Sequence, residues 1–243
     1  PILSFCKLSS FIVLVTMSQP ILRRRTPRSQ RSREGLIQYA SNVHSQNGED
    51  GILSFLFSLL PPASSLSASS SETTRRWCVD VGAWDGQHLS NTRELLCAMT
   101  KNQQQQDQPV WNGVLLEADT EKFAILQQRY QNTDNVCLQV TISTTSPDDP
   151  DNLCNVLHRH QDTLLSNLPK TFDFLCIDID GSDYWVWHDL LHRHEYQAMV
   201  VCIEFNPTMP DDLIYIPPRD QRHGASLAAL VELAEQYHYV LVE

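Results

Sequence analysis

From about Ser45 onward, apolar residues fall into two alternating patterns. Short, near-continuous apolar runs predict strands that are buried on both faces, and stretches with helical spacing predict amphipathic helices between them. The run Ile52-Leu53-Ser54-Phe55-Leu56-Phe57-Ser58-Leu59-Leu60 reads as a helix stopped by Pro61-Pro62. Trp77-Cys78-Val79-Asp80-Val81-Gly82 reads as a buried strand. It is followed by a helix capped near Ser90 or Asn91 and running through Leu95-Leu96. Strands are then predicted over 113–117, 136–142, 172–179, 199–205 and 239–242. Helices are predicted over 121–130, 152–160, 185–191 and 226–237. The Ser/Thr-rich stretch 63–74 and the glutamine tract 103–106 read as loops, and 147–151 as a turn.

Strands alternating with helices at this spacing predict parallel βαβ units. The expected fold class is α/β, a Rossmann-like, doubly wound, mostly parallel sheet with helices on both faces. The domain is expected to cover residues 36–243. Its chain runs out within the last strand, so it is expected to lack a C-terminal hairpin. Residues 1–35 are expected to lie outside it. Phe11-Ile12-Val13-Leu14-Val15 is far too short to span a bilayer. The acid-free Arg- and Ser-rich stretch after it resembles an organelle transit peptide or the flank of a signal anchor. The alternative is that Met17 starts the chain proper and the preceding residues are upstream sequence.

Charge sharpens this division. The 243 residues hold 18 Lys+Arg and 29 Asp+Glu, for a net charge of −11. Residues 1–33 contain seven bases and no acid, so the remaining 210 residues carry −18. A body this acidic excludes a nucleic-acid partner, because phosphate attraction needs clustered cations. No stable membrane span is expected within the domain. The seven cysteines form no C-x-x-C pair, and several sit in apolar runs. They are expected to be reduced, which fits the cytoplasm, or an organelle if the leader is a transit peptide.

In a sheet of this kind, ligands bind beyond the carboxyl ends of the strands. The first such loop is Asp80-Val81-Gly82-Ala83-Trp84-Asp85-Gly86. Glycine there lets backbone approach a ligand closely. The loop lacks the middle glycine of a dinucleotide fingerprint, and its two aspartates would repel a pyrophosphate. They suit a cationic ligand such as S-adenosylmethionine, which carries a sulfonium and an ammonium. Glu117 ends the next strand, where an acid accepts hydrogen bonds from both ribose hydroxyls; by itself it does not separate a nicotinamide cofactor from S-adenosylmethionine. Ala118, Asp119 and Ser143 complete the candidate cofactor residues.

Asp178, Asp180, Asp183, Glu204 and Asn206 follow two strands expected to be neighbours. Such oxygens suit a base acting on a substrate hydroxyl, a divalent cation such as Mg²⁺ or Ca²⁺, or simple capping of the next helix. Asp178 and Asp180 are the candidate catalytic residues, and Asp183, Glu204 and Asn206 the candidate substrate contacts. Ser45-Gln46-Asn47-Gly48-Glu49-Asp50 either caps the first helix or forms a lid in which Gln46 or Asn47 touches the cofactor. Trp84 is the aromatic candidate for the pocket wall. The His188–His192 pair reads as a solvated helix face, and His44 and His88 lie near the cofactor loops.

The motif Val79-Asp80-Val81-Gly82-Ala83-x-x-Gly86, the strand-end Glu117, Phe174-Leu175-Cys176-Ile177-Asp178-Ile179-Asp180-Gly181 and Val201-Cys202-Ile203-Glu204 resemble the FkbM-type methyltransferases. These belong to the class I S-adenosylmethionine-dependent superfamily. The resemblance spans roughly residues 77–243. Cys176 stands where that family often has lysine, and Asp180 where it often has glutamate. The resemblance implies that Asp80, Gly82 and Gly86 line the methionine end of the cofactor, that Glu117 holds its ribose, and that Asp178 faces the transferred methyl. It implies O-methylation of a small-molecule or glycan hydroxyl. Two rivals stand beside it: an NAD(P)-binding oxidoreductase, and a methyltransferase-like domain that binds without catalysing.

Overall fold

The computed structural model of the chain describes residues 10–16, 35–66, 75–101, 110–219 and 221–242. Seven strands form one sheet: β1 (Ser10–Thr16), β2 (Arg75–Val81), β3 (Val110–Glu117), β4 (Val136–Gln139), β5 (Thr171–Ile177), β6 (Gln197–Phe205) and β7 (Tyr239–Leu241). Their order is β4-β3-β2-β5-β6-β1-β7. Strands β2 to β6 run parallel, while β1 is antiparallel to both its neighbours, β6 and β7. The fold is the expected Rossmann-like α/β architecture.

Among the described residues, six α-helices cover the sheet: α1 (Glu49–Leu59), α2 (Arg93–Lys101), α3 (Thr120–Tyr130), α4 (Leu153–His160), α5 (Asp183–Arg193) and α6 (Leu227–Gln236). Side chains of β2 point alternately to opposite faces, which sorts the core into two layers. Val79 and Val81 join the layer under α4, α5 and α6, with Leu157, Trp187 and Leu230. Cys78 joins the layer under α1, α2 and α3, with Leu53, Leu95 and Leu126. Each fully buried large side chain of this kind contributes about 1.5–3 kcal/mol. No helix among the described residues is long and apolar enough to cross a membrane.

The expectation that residues 1–35 lie outside the fold is corrected for residues 10–16. Val13, Leu14 and Val15 are buried at 3%, 0% and 1% exposure, with Leu14 in one core layer and the two valines in the other. An apolar run too short for a bilayer has the length of a strand covered on both faces. This strand supplies the antiparallel neighbour of β6. Residues 1–9 and 17–34, including the Arg-rich stretch, lie outside the described residues, as do 67–74 and the glutamine tract. The strand expected over 136–142 pairs only as far as Gln139. Val140 still donates to Glu117 O at 3.0 Å, and the chain then leaves the sheet. Six cysteines are described and all six are free.

At the amino ends of β2 and β5, a buried ion pair ties helix to sheet. Arg76 Nη1 lies 2.9 Å from Asp173 Oδ1, and both side chains are almost fully buried. Asp173 also accepts from the amides of Ala63 and Trp77, each at 2.9 Å. Arg76 Nη2 donates to the carbonyls of Phe57 and Leu60 at the end of α1, at 3.0 and 2.5 Å. The rings of Phe57 and Trp111 lie 5.3 and 5.7 Å from the guanidinium carbon. Both carboxylate oxygens of Asp173 and both terminal nitrogens of Arg76 are thereby matched, as a buried pair requires. Asp173→Ala strands a buried cation and is expected to cost about 3–5 kcal/mol of unfolding free energy. Asp134→Ala breaks only the exposed pair with Arg75 and should leave the urea midpoint unchanged. Urea denaturation followed by circular dichroism checks both.

Candidate functional site

The chain winds outward from β2 through β3 to β4, then returns to place β5 on the other side of β2. The loops after β2 and β5 therefore diverge to opposite faces, opening a crevice at the switch in strand order. Gly82 stands at that point with φ +92°, and a Cβ there would lie 1.9 Å from Asp178 O. Asp178 N in turn donates to Val81 O at 2.9 Å. The amides of Gly82 and Ala83 both donate to Leu116 O, at 3.0 and 2.9 Å. Three strand ends are thus held together by backbone alone, and only glycine fits the junction.

Above this junction is a cavity of about 410 Å³. Its walls include Gly82 and Trp84 from the first loop, Glu117, Ala118 and Asp119 from the second, and Asp178 and Asp180 from the third. The Glu117 carboxylate is fixed at both oxygens, accepting from Trp84 N and Asp119 N at 2.7 Å each. Asp119 caps α3, its Oδ1 accepting from the amides of Glu121 and Lys122 at 2.9 Å. Lys122 lines the cavity with its ammonium 5.0 Å from the centre of the Trp84 ring. Trp84 and Asp180, two wall residues without a glycine's freedom, sit at φ 50° and 63°. Such backbone costs of order 1–3 kcal/mol each and tends to cluster at working sites.

A smaller chamber of about 20 Å³ lies behind Gly82 and shares Gly82, Trp84 and Asp178 as walls with the main cavity. Asp80, Ala83, His88 and Gln46 also line it. Asp80 is 3% exposed and accepts from Thr92 Oγ1 at 2.5 Å. Burial pushes its carboxyl up to about 7; the Thr92 hydroxyl opposes this, and the charges of Asp178 and Glu117 add to it.

Comparison of the chain with models of known protein families, with curated proteins and with solved structures finds no match.

Most residues expected at the site from the sequence meet in one place. Asp80, Gly82, Ala83, Trp84, Glu117, Ala118, Asp119, Asp178 and Asp180 all line one of the two spaces. Asp178, Asp180 and Glu204 each bring a carboxylate oxygen within 4.8 Å of the others, a hard-oxygen set suited to a divalent cation. Gln46 reaches the chamber wall, in keeping with the lid alternative. The cap of α1 is Gly48 in the left-handed region, and Ser45 Oγ accepts from Asp50 N.

Other expected site residues stand elsewhere. Gly86 does not line either space; a Cβ on it would meet Leu126 and Tyr130 at 2.6 and 2.7 Å, so it serves the packing of α3. Asp85 is turned to the amides of Gln87 and His88 and to Arg129. Asp80 is therefore the only one of the loop's two acids in the wall. Ser143 pairs with Thr145, while its neighbours Thr141 and Ile142 line the cavity. Asp183 is 2% exposed and turned inward, accepting from Ile179 N and Gly181 N at 2.9 Å each. It shapes the Asp180–Gly181 turn, and burial pushes its carboxyl up to about 7. Asn206 accepts from the amide and hydroxyl of Thr208 and closes its own turn.

Sequence reasoning missed Lys122 and Arg222 in the cavity wall and Asn91 in the chamber. Arg222 arrives on the irregular segment between β6 and α6, whose sequence carries no period. That segment is pinned by Arg219, which forks onto the buried Asp189 at 2.6 and 2.8 Å and lies 4.0 Å from the Trp185 ring. Lys122 could have been found: it lies three residues beyond the Asp119 cap, on the first turn facing the strand end.

The raised Asp80 carboxyl has a definite sign in stability. Its folded value of about 7 lies above the ordinary 3.8, so the folded chain holds this proton more tightly than the unfolded chain. Its contribution is present at low pH and is lost as pH rises from 3.8 to about 7. Asp80→Asn should abolish that loss, so the stability of wild type relative to the variant is expected to fall between about pH 4 and about pH 7. Urea titrations across that range, followed by tryptophan fluorescence, read this difference.

Proposed function

We propose that the chain is an S-adenosylmethionine-dependent methyltransferase acting on a hydroxyl oxygen of a small molecule or glycan. On this reading it is a branch of the FkbM-type methyltransferases. The observation that carries the proposal is the carboxylate arrangement at the switch point: Glu117 on the cavity wall, with Asp80 and Asp178 beside Gly82. A ribose set against Glu117 would find two fixed acceptor oxygens. A pyrophosphate crossing Gly82 would meet Asp80 and Asp178, which disfavours a dinucleotide and favours a sulfonium with an ammonium. The cavity of about 410 Å³ falls in the range of nucleoside-sized ligand sites. The acidic body argues against a nucleic-acid acceptor.

When bound, S-adenosylmethionine would supply a methyl group activated by its positive sulfur. The chain's part is positioning and proton removal. Glu117 and Trp84 hold the nucleoside side, and the turn built on Asp183 presents Asp178 and Asp180 on the opposite side of Gly82. One of these carboxylates would take the acceptor's hydroxyl proton, leaving the acceptor oxygen free to receive the methyl group. In-line displacement of this kind gains most from alignment, and a positioned base adds about 10²–10⁴-fold. Alternatively, Asp178, Asp180 and Glu204 would hold a divalent cation, which would lower the pKa of the acceptor hydroxyl and orient it.

Three measurements test the reading. Calorimetry should show binding of S-adenosylhomocysteine and none of NADH; the opposite result overturns the proposal. Glu117→Ala should weaken S-adenosylhomocysteine by about 1–3 kcal/mol, through lost charge-assisted bonds to two hydroxyls. Asp178→Asn should abolish turnover on hydroxylated acceptors even at saturating S-adenosylmethionine, so that weakened cofactor binding does not account for the loss.

A further inference from the structure

In a chain with 29 Asp+Glu and 18 Lys+Arg, carboxylates readily claim the arginines. Arg129, Arg159 and Arg193 pair with Asp85, Asp151 and Glu195, as Arg75, Arg76 and Arg219 do with the acids described above. Arg93 lies over the Tyr130 ring. Arg222 has no such partner among the described residues; it is exposed and lines the main cavity. Its place there is held from two sides. A Cβ on Gly181 would lie 2.8 Å from the carbonyl carbon of Arg222 and 2.9 Å from His223 N, so the backbone here rests directly on the turn that carries Asp180. Upstream, Trp185 Nε1 donates to Pro217 O and Arg219 Nη1 to Thr144 O, at 2.8 Å each. These bonds and the fork on Asp189 fix the segment just before Arg222 to α5 and to the loop after β4.

We infer that the acceptor carries an anionic group besides its reactive hydroxyl, and that Arg222 receives it. The inference rests on the methyltransferase reading and names the acceptor class. A guanidinium fork matches the oxygens of a carboxylate or a phosphate, with two hydrogen bonds at once. Asp178 and Asp180, the candidate bases, line the same cavity as Arg222. An acceptor with its hydroxyl toward them and its anion on Arg222 is held at two points, which sets the direction of the hydroxyl. A neutral acceptor lacks the second point. The cavity wall is otherwise acidic, through Glu117, Asp119, Asp178 and Asp180. Its other cation, Lys122, lies against Trp84 on the nucleoside side. The acids repel an anion, so admission of an anionic acceptor depends on Arg222, and its removal should abolish the preference.

Sugar binding to the full chain saturated with S-adenosylhomocysteine tests the inference, read by ligand-observed NMR at constant ionic strength. The probes are glucuronate, glucose 6-phosphate and glucose, which share a hydroxylated ring and differ in the anion. At least one of the two anionic sugars is expected to bind about tenfold tighter than glucose, and which one does so tells carboxylate from phosphate. Arg222→Ala removes an exposed side chain, so its fold and its S-adenosylhomocysteine affinity are expected to match wild type by circular dichroism and calorimetry. In that variant the anionic sugars should bind no tighter than glucose. A preference that survives in Arg222→Ala overturns the inference and leaves the cofactor reading standing, as does a wild-type chain that binds the three sugars equally or binds none of them. Loss of S-adenosylhomocysteine affinity in a folded Arg222→Ala variant also overturns it, by placing the arginine on the cofactor. A wild-type chain that does not bind S-adenosylhomocysteine overturns both readings.

Discussion

The site depends on how closely two loops can approach at the centre of the sheet. Strands β2 and β5 are neighbours, and their loops leave in opposite directions. Gly82 sits so near the Asp178 carbonyl that no side chain can stand between them. Because the approach is backbone on backbone, the positions of Asp80, Trp84 and Asp178 are set by the sheet itself and not by flexible side-chain contacts. The end of β3 is locked to the same point through Leu116 O and the doubly bonded Glu117. A ligand crossing this junction meets residues whose spacing is fixed before it arrives, which is the form of pre-organisation that binding and transfer chemistry both use.

Buried carboxylates follow two opposite rules in this chain. Asp173 and Asp189 are each met by an arginine, Arg76 and Arg219, and each ties separate segments together. Among the described residues no arginine meets Asp80 or Asp183; one is met by a hydroxyl and the other by backbone amides, and burial raises both. The first pair serves cohesion, in the way a fully matched buried ion pair can. The second pair stands at the carboxyl ends of β2 and β5, where the cavity and the chamber lie. An acid held near neutrality beside a pocket is poised to respond to a cationic guest, whereas one already matched by arginine is not.

Much of the site was legible along the chain because its determinants are local. A strand of period two, a glycine needing positive φ and an acid at the strand's last position can each be read from a few residues. That is why Asp80, Gly82, Trp84, Glu117 and Asp178 were found. Asp183 and Gly86 were misread because their residue types suit both roles. An aspartate that shapes a turn and one that faces substrate look alike in sequence, and a glycine can serve a helix packed over it as readily as a ligand. Asn91 was legible only as a helix cap, since its neighbours Cys176 and Cys202 lie more than eighty residues away in the chain.

Hydrophobic periodicity and turn chemistry were enough, by themselves, to determine the α/β class, the succession of most elements and the acidic rim, because each is a property of neighbouring residues. Tertiary structure alone decided the full order of the strands, that the apolar stretch of residues 10–16 enters the sheet between β6 and β7, and that Arg222 reaches the cavity. It also decided which buried acids gained a cation and which did not. These outcomes follow from contacts between residues distant in the chain, whose energies appear only once the sheet has closed.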